Sequence, residues 1–371
     1  MGENYENISQ GVLDILWSQW STLGAYLTAE QTTTVVVDPE AALVGTCSIG
    51  RADPRLFDEV LDWLIVNYGL IKTARVTGFV KNETEETART VAAVADYTSS
   101  VVGHEMLASI IKQERNRIVH QQTREAESLF RTSTIDSRLK TPARERNSKF
   151  FEWGFKRSEI VTRGHSATPN LNNPANVMLL MRTHYGKSAR AEILTYLLTG
   201  KTANSYQIAR MIGYNQSTVY RELVAMSAGG LVMLEGRGKS TQYWIDRDKL
   251  ARSLWFTESI DIPVFFNWAD VYRAFEDAIK TLSDISSKKL GNVLKVEACV
   301  DLSERIVPLV RGASEPLKEV AAPDPAKLKR PGGVDEIVDF IERALNVTRD
   351  AISGIDKRKN GSDDSKTRRV E

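Results

Sequence analysis

The sequence predicts a mainly α fold: a helical N-terminal domain, a central unit of three helices plus a two- or three-stranded wing, and a C-terminal helical region. Three observations predict it. Apolar residues recur three or four positions apart in long stretches, the spacing that puts them on one helical stripe. Aspartate–proline pairs stand where such stretches begin, as helix starts require. With 371 residues, 42% of them hydrophobic, the chain exceeds one typical domain and can bury several cores without staples.

Ile8, Val12, Leu16, Trp20, Leu23 and Leu27 line one face of a helix over 5–28. Asp38-Pro39-Glu40 and Asp53-Pro54 cap two further helices, the second carrying Leu56, Val60, Leu64 and Tyr68 on one face. Asn82 opens another helix over 83–99, with three glutamates in a first turn whose dipole favours negative charge. Together these form an acidic helical domain over 1–110, with a degenerate winged helix as its second reading. Residues 111–168 are rich in Arg, Gln, Ser and Thr and read as a basic polar connector, with a long polar excursion over 131–148. Thr168-Pro169 and Asn173-Pro174 close it. A DNA-reading unit follows over 169–252, and helical stretches at 268–284, 293–312 and 334–351 form a C-terminal region over 253–352. Residues 353–371 have no apolar face and read as a disordered tail.

Charge is unevenly placed. The net charge is +1, but residues 1–100 carry 6 Lys/Arg against 14 Asp/Glu, whereas 112–163 carry 13 against 7 and 187–252 carry 10 against 5. An acidic head and a basic middle suggest that the middle meets a polyanion and that the head repels it. Two cysteines give neither a disulfide framework nor a Cys-based metal spacing, so a reducing, cytoplasmic setting is expected. No apolar run approaches the roughly 18 residues of a membrane span, and the polar, acidic start does not read as an export signal.

The stretch 187–250 carries the chemistry. Ala189 to Leu198 is a helix with Ile193, Leu194, Leu197 and Leu198 inward. Asn204 and Gln207 have capping-box spacing before a short helix that buries Ile208, Ala209 and Ile212. Gly213-Tyr214 makes the tight turn of a helix-turn-helix pair. Asn215 caps a third helix with Val219, Leu223 and Met226 buried, leaving Gln216, Ser217, Thr218, Tyr220 and Arg221 outward. Ala228-Gly229-Gly230 ends it, and strands over 231–234 and 241–245 flank a turn holding Arg237 and Lys239 between glycines. Three helices, a strand, a basic turn and a strand make a winged helix.

RAEIL, YQIARMIGYNQSTVYREL and GLV followed by RGKSTQYWI resemble the winged helix-turn-helix domains of bacterial transcriptional regulators of the MarR and ArsR kind, over about 65 of the 371 residues. The DPEAALVGTCSIGRADPRLFDEVLDWLIVNYGLI stretch with NPANVMLLMRTHYGKSARAEIL also resembles a little-studied bacterial family that places a helical region before such a unit. That second resemblance implies no activity.

Double-stranded DNA is the expected partner. A helix about 10 Å across fits the major groove, where Gln216 can pair with adenine, Ser217 and Thr218 can take either role, and Arg221 can reach guanine or phosphate. Tyr220 is placed on phosphate; Asn215 and the Ser205 and Tyr206 pair at the start of the preceding helix complete that face. Arg237 and Lys239 on the wing suit phosphate or a minor groove. Trp268, Val271, Phe275, Ile279 and Leu282, and again Val334, Ile337, Val338, Ile341 and Leu345, approach a heptad seam that serves either a homodimer or an intradomain bundle.

Enzyme motifs fail. Gly238-Lys239-Ser240-Thr241 lacks the first glycine of a phosphate loop, with Met233 in its place. His104-Glu105 is followed by Ala108 rather than by a second ligand, and Cys47 sits in no nucleophile elbow and reads as a small hydrophobe. The four histidines stand singly, and Asp58 and Asp62 read as solvated carboxylates. Neither catalysis nor a cofactor or metal is expected. The leading expectation is a nucleoid-associated transcriptional regulator, more specifically a repressor, because nothing resembles an activation surface. The alternative is a non-enzymatic adaptor or antitoxin-like protein that grips a protein partner through its N-terminal domain.

Overall fold

A computed structural model describes residues 2–26, 28–120, 125–131, 148–160, 162–255, 261–288, 291–330 and 332–354. It is mainly helical. Helices α1 (Gly2–Thr22), α2 (Pro39–Ser48), α3 (Pro54–Asn67), α4 (Thr73–Val80), α5 (Glu85–Val102) and α6 (Ala108–His120) occupy the N-terminal part. Ile8, Val12, Leu16 and Trp20 are buried along α1, and Leu23 just after it, as their spacing requires; Leu27 lies outside the described residues. Asp38 Oδ1 accepts from the Glu40 and Ala41 amides, and Asp53 Oδ1 from those of Arg55 and Leu56, so both Asp-Pro caps form. The cap of α5 is Thr84, not Asn82. Its hydroxyl accepts from the Thr87 amide at 3.2 Å, and only Glu85 and Glu86 remain in the first turn.

No strand pair occurs among the described residues of 1–110, so they form no hairpin of the winged-helix kind. The extended segment 34–37 instead serves as a seam: Val36 N donates to Val264 O, Val264 N to Thr34 O, and Val37 N to Ala175 O.

The connector over 111–168 is largely built into the body. Its start continues α6; β1 (Glu127–Ser128) and β2 (Phe155–Lys156) pair in parallel, with α7 (Ser148–Glu152) before β2. Leu129, Phe130, Phe150, Trp153 and Phe155 are buried, and the Arg51 and Arg89 guanidiniums stack on the Phe155 ring at 5.1 and 4.5 Å. The polar excursion over 132–147 and the tail over 355–371 lie outside the described residues.

Next come α8 (Val177–Tyr185), α9 (Ala189–Thr199), α10 (Ser205–Ile212), α11 (Gln216–Ala228), β3 (Met233–Glu235), β4 (Gln242–Trp244) and α12 (Arg247–Trp255). Then follow α13 (Trp268–Ser287), α14 (Asn292–Ala313), α15 (Glu315–Lys318), α16 (Pro325–Leu328) and α17 (Gly333–Ser353). Two cores result. The larger joins residues of α1 to α7 with α13 to α17; the smaller holds α8 to α12 with Val36 and Phe265.

The C-terminal region is therefore not a domain of its own. Trp268, Val271, Phe275 and Leu282, and Val334, Ile337, Val338, Ile341 and Leu345, are buried in the larger core, with Ile279 half-buried against it. A Cβ on Gly11 of α1 would fall 2.5 Å from Leu345 Cδ2, and Trp268 Nε1 donates to Val36 O at 2.7 Å. The two heptad-like stripes are spent inside the chain, because α1 and α2 cover them, and they offer no seam to a second copy. Among the described residues, no helix is long and apolar enough to cross a membrane.

Candidate nucleic-acid interface

Helix α10 starts where the sequence places it. Asn204 Oδ1 accepts from Gln207 N at 2.9 Å while Gln207 Oε1 accepts from Asn204 N at 3.0 Å, so both halves of the capping box are present. Gly213, at φ 71°, ends α10, and α11 begins three residues later at Gln216. Ile193, Leu194, Leu197, Leu198, Ile208, Ala209, Ile212, Val219, Leu223 and Met226 all face the smaller core, as the spacing predicts. The strands are antiparallel, with Met233 opposite Trp244 and Glu235 opposite Gln242. Ala203 bridges the other edge of β4, exchanging two backbone bonds with Tyr243.

This packing brings most of the predicted residues onto one surface. Asn215, Gln216, Ser217, Tyr220 and Arg221 are exposed along α11, with Thr218 half-buried. Gln216 Nε2 donates to Ser205 Oγ at 3.0 Å, which ties the first turns of the two helices together. Tyr206 is 70% and Tyr220 50% exposed, a large exposure for aromatic rings. A groove of about 620 Å³ runs between these residues and Gly238, Thr241 and Tyr243 of the hairpin. Arg237 is exposed at the hairpin turn, where Gly236 and Gly238 adopt φ of 87° and 61°. The Lys239 side chain lies outside the described residues.

Electrostatics sharpen this face. The acid on α11, Glu222, accepts from Arg190 Nε and Nη2 at 3.2 and 3.1 Å and is neutralised. Burial, then the neighbouring Tyr220, pushes the Tyr243 phenol up, so it stays a neutral donor. One detail differs from expectation: Asn215 is the N-cap residue of α11, but its side chain makes no capping bond.

Sequence reasoning missed what positions this unit. The turn at 212–214 rests on α4: Arg75 Nε donates to Ile212 O at 3.1 Å, and a Cβ on Gly213 would lie 2.5 Å from Phe79 Cε1. Arg75 also pairs with Asp38 and Glu40, and Arg182 donates to both Glu40 oxygens and to Glu192 Oε1, each at 2.8 Å. Burial raises the Glu40 pKa, but Arg182 and Arg75 overcome it and hold the carboxyl at about 2. Three carboxylates face two guanidiniums here. Glu192, whose Oε2 has no partner, is the one that burial pushes up. No spacing in the sequence links Arg75 and Arg182 to Asp38 and Glu40.

The residues set aside as non-catalytic have structural places. Cys47 is fully buried, and burial pushes its thiol well up, which makes it unreactive. Asp58 is half-buried and accepts from the buried Arg157 at 2.7 Å, whereas Asp62, read as solvated, is buried and accepts from the Gly164 and Ser166 amides. No protein-family model, curated protein or solved structure compared with the chain matches it.

Proposed function

We propose that residues 169–252 form a winged helix-turn-helix that reads double-stranded DNA, and that the protein is a sequence-specific transcriptional regulator acting as a repressor on the chromosome. The single observation that carries this reading is the polar face made by the exposed Tyr206, Gln216, Ser217, Tyr220 and Arg221, with half-buried Ser205 bonded to Gln216, Arg237 exposed on the hairpin, and the acid on α11, Glu222, paired with Arg190. A major groove offers base-edge donors and acceptors to such a helix, and phosphates to the tyrosines and the hairpin turn. A homodimer reading two half-sites belongs to this proposal, but it needs a surface other than α13 and α17.

Selection of bound genomic fragments followed by gel shift tests it. Arg221→Ala with Arg237→Ala should weaken binding of the selected fragment by about tenfold or more, each arginine being worth about 1–3 kcal/mol at a base edge and less at a phosphate. Unchanged affinity at moderate salt would remove α11 and the hairpin as the reader. Arg221→Ala alone should also relax sequence preference, whereas Arg237→Ala should mainly lower the salt dependence.

A further inference from the structure

Beside the turn at 213–215, on the side of α4, lies an open cleft of about 960 Å³. Its charged lining is Lys72 and Lys81 from the α4 region, Lys187 before α9, Arg210 on α10, and Arg273 with Asp270 on α13. Of these cations only Arg273 has two carboxyl groups within 3.4 Å, Glu83 at 3.3 Å and Asp270 at 3.4 Å. Lys72 Nζ donates to the Lys187 carbonyl and Lys187 Nζ to the Gly69 carbonyl, so both ammonium groups rest on neutral acceptors, and neither forms an ion pair with a described residue. Arg210 stands 3.8 Å from Asp270, at the outer limit of an ion pair, and Lys81 has no partner among the described residues. Asn215, which also lines the cleft, leaves the first-turn amides of α11 without a side-chain cap. Like charges gathered from separate elements around an uncapped helix start form a surface that is relieved by binding an oxyanion.

We propose that this cleft is a phosphate-binding site that bridges the helical body and the reading unit. Lys72 and Lys81 would hold one side of the phosphate-bearing ligand, and Lys187 and Arg210 the other. Two sources share this chemistry: the backbone of DNA flanking the read groove, or a phosphorylated small molecule. The DNA source rests on the function proposed above; the site itself does not.

The test uses the full-length protein and sodium tripolyphosphate, titrated calorimetrically at low salt. Wild type should bind saturably. Lys81→Ala with Lys187→Ala, both at exposed positions, should weaken binding at least tenfold, and Arg210→Gln alone by a few-fold, with thermal melts confirming that each variant is folded. Arg237→Ala, on the hairpin, should leave tripolyphosphate binding unchanged. Absence of binding to wild type, equal binding by the double variant, or equal loss in Arg237→Ala overturns the site. Fluorescence-anisotropy salt titrations with a labelled duplex then separate the sources. A salt slope smaller by about 2 in the double variant assigns the cleft to DNA backbone, at about 0.9 per phosphate contact. An unchanged slope with tripolyphosphate binding lost assigns it to a phosphorylated small molecule. If wild type binds no DNA at all, the regulator proposal fails while the tripolyphosphate result stands.

Discussion

Glu40 concentrates most of the chemistry that joins the two parts of the chain. It is fully buried, accepts from Arg75, twice from Arg182 and from the Lys72 amide at 2.7 Å, and so links α2, α4 and α8. Replacing one member of a buried, hydrogen-bonded charge set leaves the others uncompensated, which typically costs about 3–5 kcal/mol. Glu40→Gln should lose stability on that scale in denaturant melts at neutral pH. The pH dependence carries a separate signature. Glu40 is held at about 2 against an ordinary value of 4.5, so its contribution is whole above pH 4.5 and drains away as pH falls towards 2. Wild type should therefore weaken through that window, and Glu40→Gln should weaken less steeply there. An equally steep acid limb in the variant would show that another group governs it. The sequence made Asp38-Pro39-Glu40 legible as a cap followed by a dipole-complementing acid, and the cap is real. The larger role of Glu40 was not legible, since its partners lie 35 and 142 positions away and only packing brings them together.

At the scale of elements, legibility follows how local the determinants are. The run from α8 to β4 was readable to within a residue or two because each boundary is set by a nearby group: the Asn204 and Gln207 box, Gly213, and Gly229-Gly230 after α11. The start of α5 was misread because Asn82 and Thr84 can both cap. The connector was not legible because its core residues fall in two short clusters, Leu129-Phe130 and Phe150 to Phe155, separated by a long polar stretch and too short to show a period. Gly213 shows local and distant demands meeting in one residue. Its φ of 71° favours glycine, and Phe79 of α4 leaves no room for a methyl group. Gly213→Ala should cost about 1 kcal/mol for the left-handed backbone and a similar amount or more for the displaced ring. Phe79→Leu in the same chain should return part of the second amount. A double-mutant cycle on thermal melts checks this: strict additivity would mean that the ring is not what Gly213 accommodates.

For the whole molecule, part of the acidic head is turned inward, with Asp38, Glu40, Glu59 and Asp62 buried. Asp38, Glu40, Asp58, Glu83 and Glu86 belong to residues 1–100 and are all engaged by arginines, several of them from later in the chain. These charges fasten the body together. Removing residues 1–100 would also strip α13 and α17 of the helices that cover them. Glu83 shows what this fastening costs. Burial first, and then Glu276 and Asp277 of α13, push its carboxyl up to about 7, while Arg273 opposes the shift through two contacts of 3.3 Å. A carboxyl raised in the folded state favours folding while protonated, so its contribution is full below 4.5 and is lost as pH rises through about 7. Body stability should therefore fall between pH 5 and pH 8 by up to a few kcal/mol, the scale set by roughly 1.4 kcal/mol for each tenfold change in proton affinity. Glu83→Gln keeps an acceptor for Arg273 without the charge, so denaturant midpoints for that variant should change little across the same range. If wild type and variant lose stability in parallel from pH 5 to 8, Glu83 is not the group that titrates.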